Sequence, residues 1–195
     1  MPLNIPTLLT LGRVAVIPVL LVLFCVDWAP ARHLAAALFV AASITDWLDG
    51  WLARRLNQTS AFGAFLDPVA DKLLVAVALV MLVHSDPSWT MSALAAIIIG
   101  REITISALRE WLAELGQRRR VAVSWVGKFK TAFQLTSISL LLWDTPIGPL
   151  PVQRIGFALL CAAAALTLWS MFLYLRAAWP VLSGQEVGDE DAYGD

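Results

Sequence analysis

The chain has 195 residues, of which 59% are hydrophobic and 15% charged, against about 45–50% and about 25% in soluble domains. With a mean hydropathy of +0.73, these values exclude a soluble globule, a disordered chain, a coiled coil and a disulfide scaffold, and they leave an integral membrane protein. The net charge of −1 gives no global basic field for nucleic acid, and the length sets the domain count at one.

At about 20 apolar residues per transmembrane helix, the chain holds about six. The first apolar run, Leu8 to Val26, is interrupted at Gly12 and Arg13, and its opening, Asn4 to Leu11, reads as a short interfacial helix. The second run, Leu34 to Ala53, carries Asp46 and Asp49 near its end. The third, Phe65 to Val83, carries Asp67, Asp71 and Lys72 near its start. The fourth, Trp89 to Leu112, contains Arg101, Glu102, Arg109 and Glu110. The fifth is Phe129 to Trp143, and the sixth, Ile155 to Leu175, has no charge at all.

Strand-like alternation is absent, and the runs are too long for barrel strands. The expected fold is therefore all-α: an integral membrane bundle of six transmembrane helices with a short N-terminal interfacial helix. The membrane domain spans 1–182. Residues 183–195, with Glu186, Asp189, Glu190, Asp191 and Asp195, read as an acidic, disordered tail. Cys25 and Cys161 lie in apolar runs and read as small hydrophobes. No signal peptide with a small-residue cleavage site is evident near the start.

Lys and Arg in short loops set the orientation. Arg54 and Arg55 follow the second run, and Arg118, Arg119, Arg120 and Lys128 follow the fourth, whereas the opposite side holds only Arg32 and Arg154. Both termini and the Arg-rich loops are expected in the cytoplasm. Trp28, Trp89 and Trp143 fall at the outer ends of the runs, and Trp51, Trp111, Trp125 and Trp179 near the inner ends, as two interfacial belts.

A carboxylate at the centre of a membrane helix costs about 2.5–3.5 kcal/mol on insertion scales. Asp46 and Asp49 are three apart, Asp67 and Asp71 four apart, so each pair shares a helix face. The short loop between the runs is expected to make the two helices antiparallel neighbours and to converge the four carboxylates at one membrane face. Unneutralised, they would repel one another. An all-oxygen set with no His or Cys nearby suits Mg²⁺ or Mn²⁺, and two such ions suit phosphoryl chemistry. Helix-end caps or pairs with Arg54, Arg55 and Lys72 are the ordinary alternative. Gly50 and Gly63 would allow close approach of a ligand.

From Asp46 to Asp71 the stretch D-x-x-D-G-x-x-A-R, eight residues, then G-x-x-x-D-x-x-x-D resembles the signature of the CDP-alcohol phosphatidyltransferases at all eight defining positions. That resemblance implies six transmembrane helices, a homodimer and a cytoplasm-facing cavity. It implies an enzyme that moves a phosphatidyl group from CDP-diacylglycerol to an alcohol and releases CMP. It assigns Asp46, Asp49, Asp67 and Asp71 to two divalent metals, Asp71 also as general base. Gly50, Ala53, Arg54 and Gly63 would line the CDP site, with Arg54 close to the diphosphate.

Asn4 to Arg13, Gly100 to Glu110 and Gly127 to Gln134 are similar to the branch of the family that forms phosphatidylglycerol phosphate, with Thr7 where that branch often has Asn. The implied acceptor is sn-glycerol 3-phosphate, and the implied location is a bacterial inner membrane. The charges agree: Arg101, Arg109, Lys128 and Lys130 lie on the fourth and fifth runs, and several cations beside a metal site suit an anionic acceptor. Arg109 and Lys130 are the foremost candidates for its phosphate, on the expectation that a short loop makes these two helices neighbours. Other readings are a cardiolipin-, phosphatidylserine- or inositol-phosphate-type relative, or a divalent-cation transporter, which would place its acids at the midplane.

Overall fold

The structure is a computed structural model and describes residues 5–26, 28, 30–56, 61–116 and 125–183, without the side chains at 5–7, 47–56, 61, 64 and 125–128. Six helices follow one another: α1 (Ile5–Cys25), α2 (Ala31–Leu56), α3 (Ala61–Ser85), α4 (Trp89–Glu114), α5 (Trp125–Trp143) and α6 (Val152–Leu182). Among the described residues there is no strand beyond an isolated bridge between Ile147 and Leu150 in the α5–α6 turn. The acidic tail expected at 183–195 lies outside the described residues, apart from Ser183.

The helices run past most of the apolar stretches that predict them, because backbone hydrogen bonding continues until the chain meets a cap. At Ser88 the side-chain oxygen accepts the Met91 N–H at 3.2 Å and starts α4. Gly116, at φ +74°, follows its last turn in the left-handed conformation that glycine adopts without strain. On length and composition, α1 (over Leu8–Cys25), α4 and α6 are long and apolar enough to cross a membrane. Large apolar side chains face outward around the bundle, among them Val22, Phe65, Ile103 and Phe172, as lipid contact requires.

One expectation is corrected at the N-terminus. The separate interfacial helix expected at Asn4 to Leu11 is not a distinct element among the described residues: α1 runs through Gly12 and Arg13 without a break. The charge that reads as an interruption is accommodated inside the bundle by carboxylate partners described below.

Two neighbour relations are also corrected. Among the described residues α2 and α3 have little direct contact; α1 packs against both of them. α4 and α5 make no close backbone approach among the described residues; α6 packs against both. A short loop keeps two helix ends near each other but does not select the faces that pack. α1 and α6 therefore fill the positions that sequence neighbours were expected to fill.

The main core draws on all six helices, with Leu20, Phe39, Leu79, Ile98, Ile138 and Leu160 buried together. A second cluster of Ile105, Leu112, Tyr174 and Ala178 joins α4 to α6 further along. The α5–α6 contact depends on Gly156. Its carbonyl accepts the Ser137 hydroxyl at 2.7 Å, and a Cβ there would lie 3.0 Å from Leu141 Cγ.

The end of the bundle opposite Asp46 is tied by polar contacts. Arg32 at the start of α2 pairs with Asp144 after α5 and donates to Ser85 at 3.3 Å. Gln153 donates to the same Asp144, which takes a positive φ of 58°. His33 meets Thr145 Oγ1 at 2.8 Å and stands edge-on to Trp143.

Candidate active site

Arg13 is the centre of the acidic end. Its side chain is 1% exposed, and one nitrogen, Nη1, lies 3.0 Å from Asp46 Oδ1 and 3.3 Å from Asp67 Oδ1 and also bonds Asp71 Oδ1. Thr10, one turn earlier on α1, donates to Asp67 Oδ1 at 3.2 Å. Asp67 and Asp71 share a face of α3, as their spacing requires, and Asp46 comes from α2. These are charge-assisted hydrogen bonds, roughly twice as strong as neutral ones.

Three of the four expected aspartates are thus brought together, but around a guanidinium rather than by direct pairing of α2 with α3. Among the described residues no three acidic, His or Cys side chains close into a ready cation cage. The donor set, three carboxylates with no nitrogen or sulfur ligand, has the chemistry of a hard divalent-cation site. Gly63 is half-buried one turn before Asp67. The side chains of Asp49, Ala53 and Arg54, and the surroundings of Gly50, lie outside the described residues, although α2 carries all four positions.

A second polar cluster lies between α4, α5 and α6. Lys130 is 3% exposed and pairs with Glu102. Arg101, 8% exposed, lies 3.5 Å from the same Glu102 oxygen and donates from Nη2 to Ser170 at 2.9 Å. Arg109 donates to the Tyr174 hydroxyl at 2.7 Å. Both guanidinium carbons lie near the Tyr174 ring, at 5.6 Å for Arg101 and 5.1 Å for Arg109, within cation–π range. The buried Arg101 Nε has no hydrogen-bond partner among the described residues.

The three described cations expected near an acceptor phosphate therefore belong to one cluster; the Lys128 side chain lies outside the described residues. Sequence reasoning missed Glu102 as the shared counter-ion of Arg101 and Lys130, and it missed Ser170 and Tyr174. Ser170 and Tyr174 are four apart on α6 and so share a face, but no charge marks them. A cavity of about 140 Å³ between α3 and α4 is lined by Lys72, next to Asp71 in the chain, and by Glu102. Glu102 thus faces both that cavity and the cationic cluster.

The model of the CDP-alcohol phosphatidyltransferases matches residues 3–169. The chain belongs to the CDP-alcohol phosphatidyltransferase family. Both polar clusters draw on the matched region, but Ser170 and Tyr174 lie just beyond it. The chain is 56% identical over 178 residues to the CDP-diacylglycerol–glycerol-3-phosphate 3-phosphatidyltransferase of Salmonella choleraesuis (strain SC-B67), covering 91% of this chain and 96% of that protein. It is 54% identical over 180 residues, with the same coverage, to the proteins of that name from Shigella flexneri and Escherichia coli (strain K12). In this CDP-alcohol phosphatidyltransferase, the eight signature positions from Asp46 to Asp71 all fall inside the matched region.

Proposed function

We propose that the protein transfers the phosphatidyl group of CDP-diacylglycerol to sn-glycerol 3-phosphate, giving phosphatidylglycerol phosphate and CMP. The observation that carries this reading is the cluster formed by the buried Arg101 and Lys130 with the exposed Arg109, in a chain more than half identical to proteins named for that reaction. Three cations, of which Arg101 and Lys130 share the one carboxylate of Glu102, suit a dianionic acceptor; a zwitterionic alcohol would leave that charge unanswered.

Asp46, Asp49, Asp67 and Asp71 are assigned to two divalent ions, Mg²⁺ or Mn²⁺. Bound there, such ions supply charge stabilisation to a diphosphate and to the oxygens around the attacked phosphorus. The chain's own groups do the rest. Gly50, Ala53 and Gly63 leave room for the nucleotide, and Arg54 holds the diphosphate. Arg109 and Lys130 grip the acceptor phosphate, helped by Lys128 and by the spare Nε donor of Arg101. Gripping the acceptor this way turns its hydroxyl toward the donor phosphorus, so that positioning supplies much of the rate. Asp71 takes the proton of that hydroxyl as general base. Carbon, phosphorus and charge balance: the new P–O bond forms to glycerol 3-phosphate, and the P–O bond to CMP breaks.

All six helices are proposed to cross the bilayer of a bacterial inner membrane, in a homodimer, with both termini and the site on the cytoplasmic side. The Lys and Arg content of the loops around Arg54 and Arg118 to Arg120 supports that orientation. The deciding experiment is an acceptor panel on the purified protein, scored by CMP release and by lipid product. Glycerol 3-phosphate is expected to be the acceptor used. Preference for serine, inositol phosphate or phosphatidylglycerol would overturn the acceptor assignment and leave the family standing.

A further inference from the structure

Arg13 Nη1 carries two hydrogens but has three carboxylate oxygens around it, from two helices, and all three contacts are made by that one atom. It therefore acts less as a directional donor than as a point charge at the centre of the three oxygens. A divalent ion held by the same three aspartates would need the carboxylate oxygens that Nη1 now engages. The same oxygens cannot serve both at once. We infer that Arg13 competes with a divalent cation for Asp46, Asp67 and Asp71, and so sets the metal affinity of the site. The inference rests on the assignment of those aspartates to metal.

Two further observations bear on this. The Arg13 side chain is 1% exposed, so its charge has no hydration of its own and is answered by the carboxylates, which are 37–40% exposed and partly screened by water. α1 is also the helix that packs on both α2 and α3, which have little direct contact. The guanidinium is thus part of what holds the two carboxylate-bearing helices in register when no divalent ion does so. Metal loading has to displace Nη1 from at least one oxygen, and the energy of that displacement subtracts from the apparent binding. Thr10, which donates to the same Asp67 oxygen, retains α1 on α3 after the exchange.

The probe is Mn²⁺ itself, titrated into the purified full-length chain in detergent, with free ion followed by electron paramagnetic resonance and unfolding followed by heating. Arg13→Gln keeps a polar side chain, shorter and without the charge. It is expected to bind Mn²⁺ at least about ten-fold more tightly than the wild type. Without Mn²⁺ it should unfold at a lower temperature, so the rise in Tm on adding Mn²⁺ should be larger. Arg13→Lys, which keeps a charge on a shorter reach, should fall between the two. It carries the affinity comparison if Arg13→Gln is recovered only with Mn²⁺ present. Weaker or unchanged Mn²⁺ binding in Arg13→Gln, or in Arg13→Lys where that variant is the one measured, would show that the guanidinium braces the carboxylates without competing, and would overturn the inference. A wild-type chain that binds no Mn²⁺ would instead remove the metal assignment beneath it.

Discussion

Lys130 on α5 and Glu102 on α4 are paired although the backbones of their helices do not approach closely. The link is made by side chains alone, with Lys130 buried and Glu102 one quarter exposed. Breaking such a pair by removing one partner leaves an uncompensated charge, at a cost of about 3–5 kcal/mol. Lys130→Met is therefore expected to lower thermal stability sharply in detergent. The double variant Lys130→Met with Glu102→Gln should recover much of the loss. Equal Tm values for the single and double variants would mean that the pair carries no such coupling.

The acceptor cations should show in kinetics. Losing one hydrogen bond to a charged group costs about 1.5–3 kcal/mol, and about 1.4 kcal/mol is tenfold in affinity. Arg109→Ala is expected to raise the KM for glycerol 3-phosphate by about ten- to a hundred-fold and to leave the KM for CDP-diacylglycerol nearly unchanged. The reverse pattern would move Arg109 to the donor site.

Tyr174 is expected to act through the arginines it touches. Tyr174→Phe removes the hydroxyl that accepts from Arg109 and keeps the ring near both guanidinium groups. Tyr174→Leu removes both. The expected order of glycerol 3-phosphate KM is wild type, then Phe, then Leu, with the Phe variant up by about ten-fold. Wild-type KM in the Leu variant would show that the ring is packing alone.

Metal dependence is the broadest test of the acidic end. Activity is expected to vanish in EDTA and return with Mg²⁺ or Mn²⁺. Asp67→Asn and Asp71→Asn should cut turnover by several orders of magnitude, the second because it removes the base as well as a ligand. Full activity of either variant in a metal-free preparation would remove the two-ion assignment.

The α5–α6 contact has its own measurement. A side chain at position 156 would meet Leu141 at about 3 Å, so Gly156→Val must push the helices apart. Overpacking of this kind costs about 1–3 kcal/mol. The expected readout is a lower Tm with the KM of both substrates retained. An unchanged Tm would show that Leu141 yields freely.

Much of the fold is legible in the sequence because hydrophobic runs and helices coincide in membranes. Each of the six runs falls on its own helix, and the fourth begins at Trp89 as expected. Pairing is less legible. Loop length places α3 after α2 and α5 after α4, but only the three-dimensional bundle shows that α1 and α6 come between them. The site divides the same way. Asp46, Asp67 and Asp71 are marked by spacing, and Arg101, Arg109 and Lys130 by charge. Arg13 carried a usable signal, since a lone cation in an apolar run needs an acidic partner. Ser170 and Tyr174 carried none, because a hydroxyl on an apolar helix is common and its partner lies more than sixty positions away.

The contact of Arg13 with α3 also sets an order of events during synthesis. Asp67 and Asp71 follow Arg13 by 54 and 58 residues, so α1 emerges from the ribosome and meets the bilayer before either partner has been translated. Until then Asp46 on α2 is the one of its three described carboxylate partners that has been made, and the set is complete only when α3 arrives. Nascent α1 is therefore a provisional span, and the bundle closes on it from the C-terminal side.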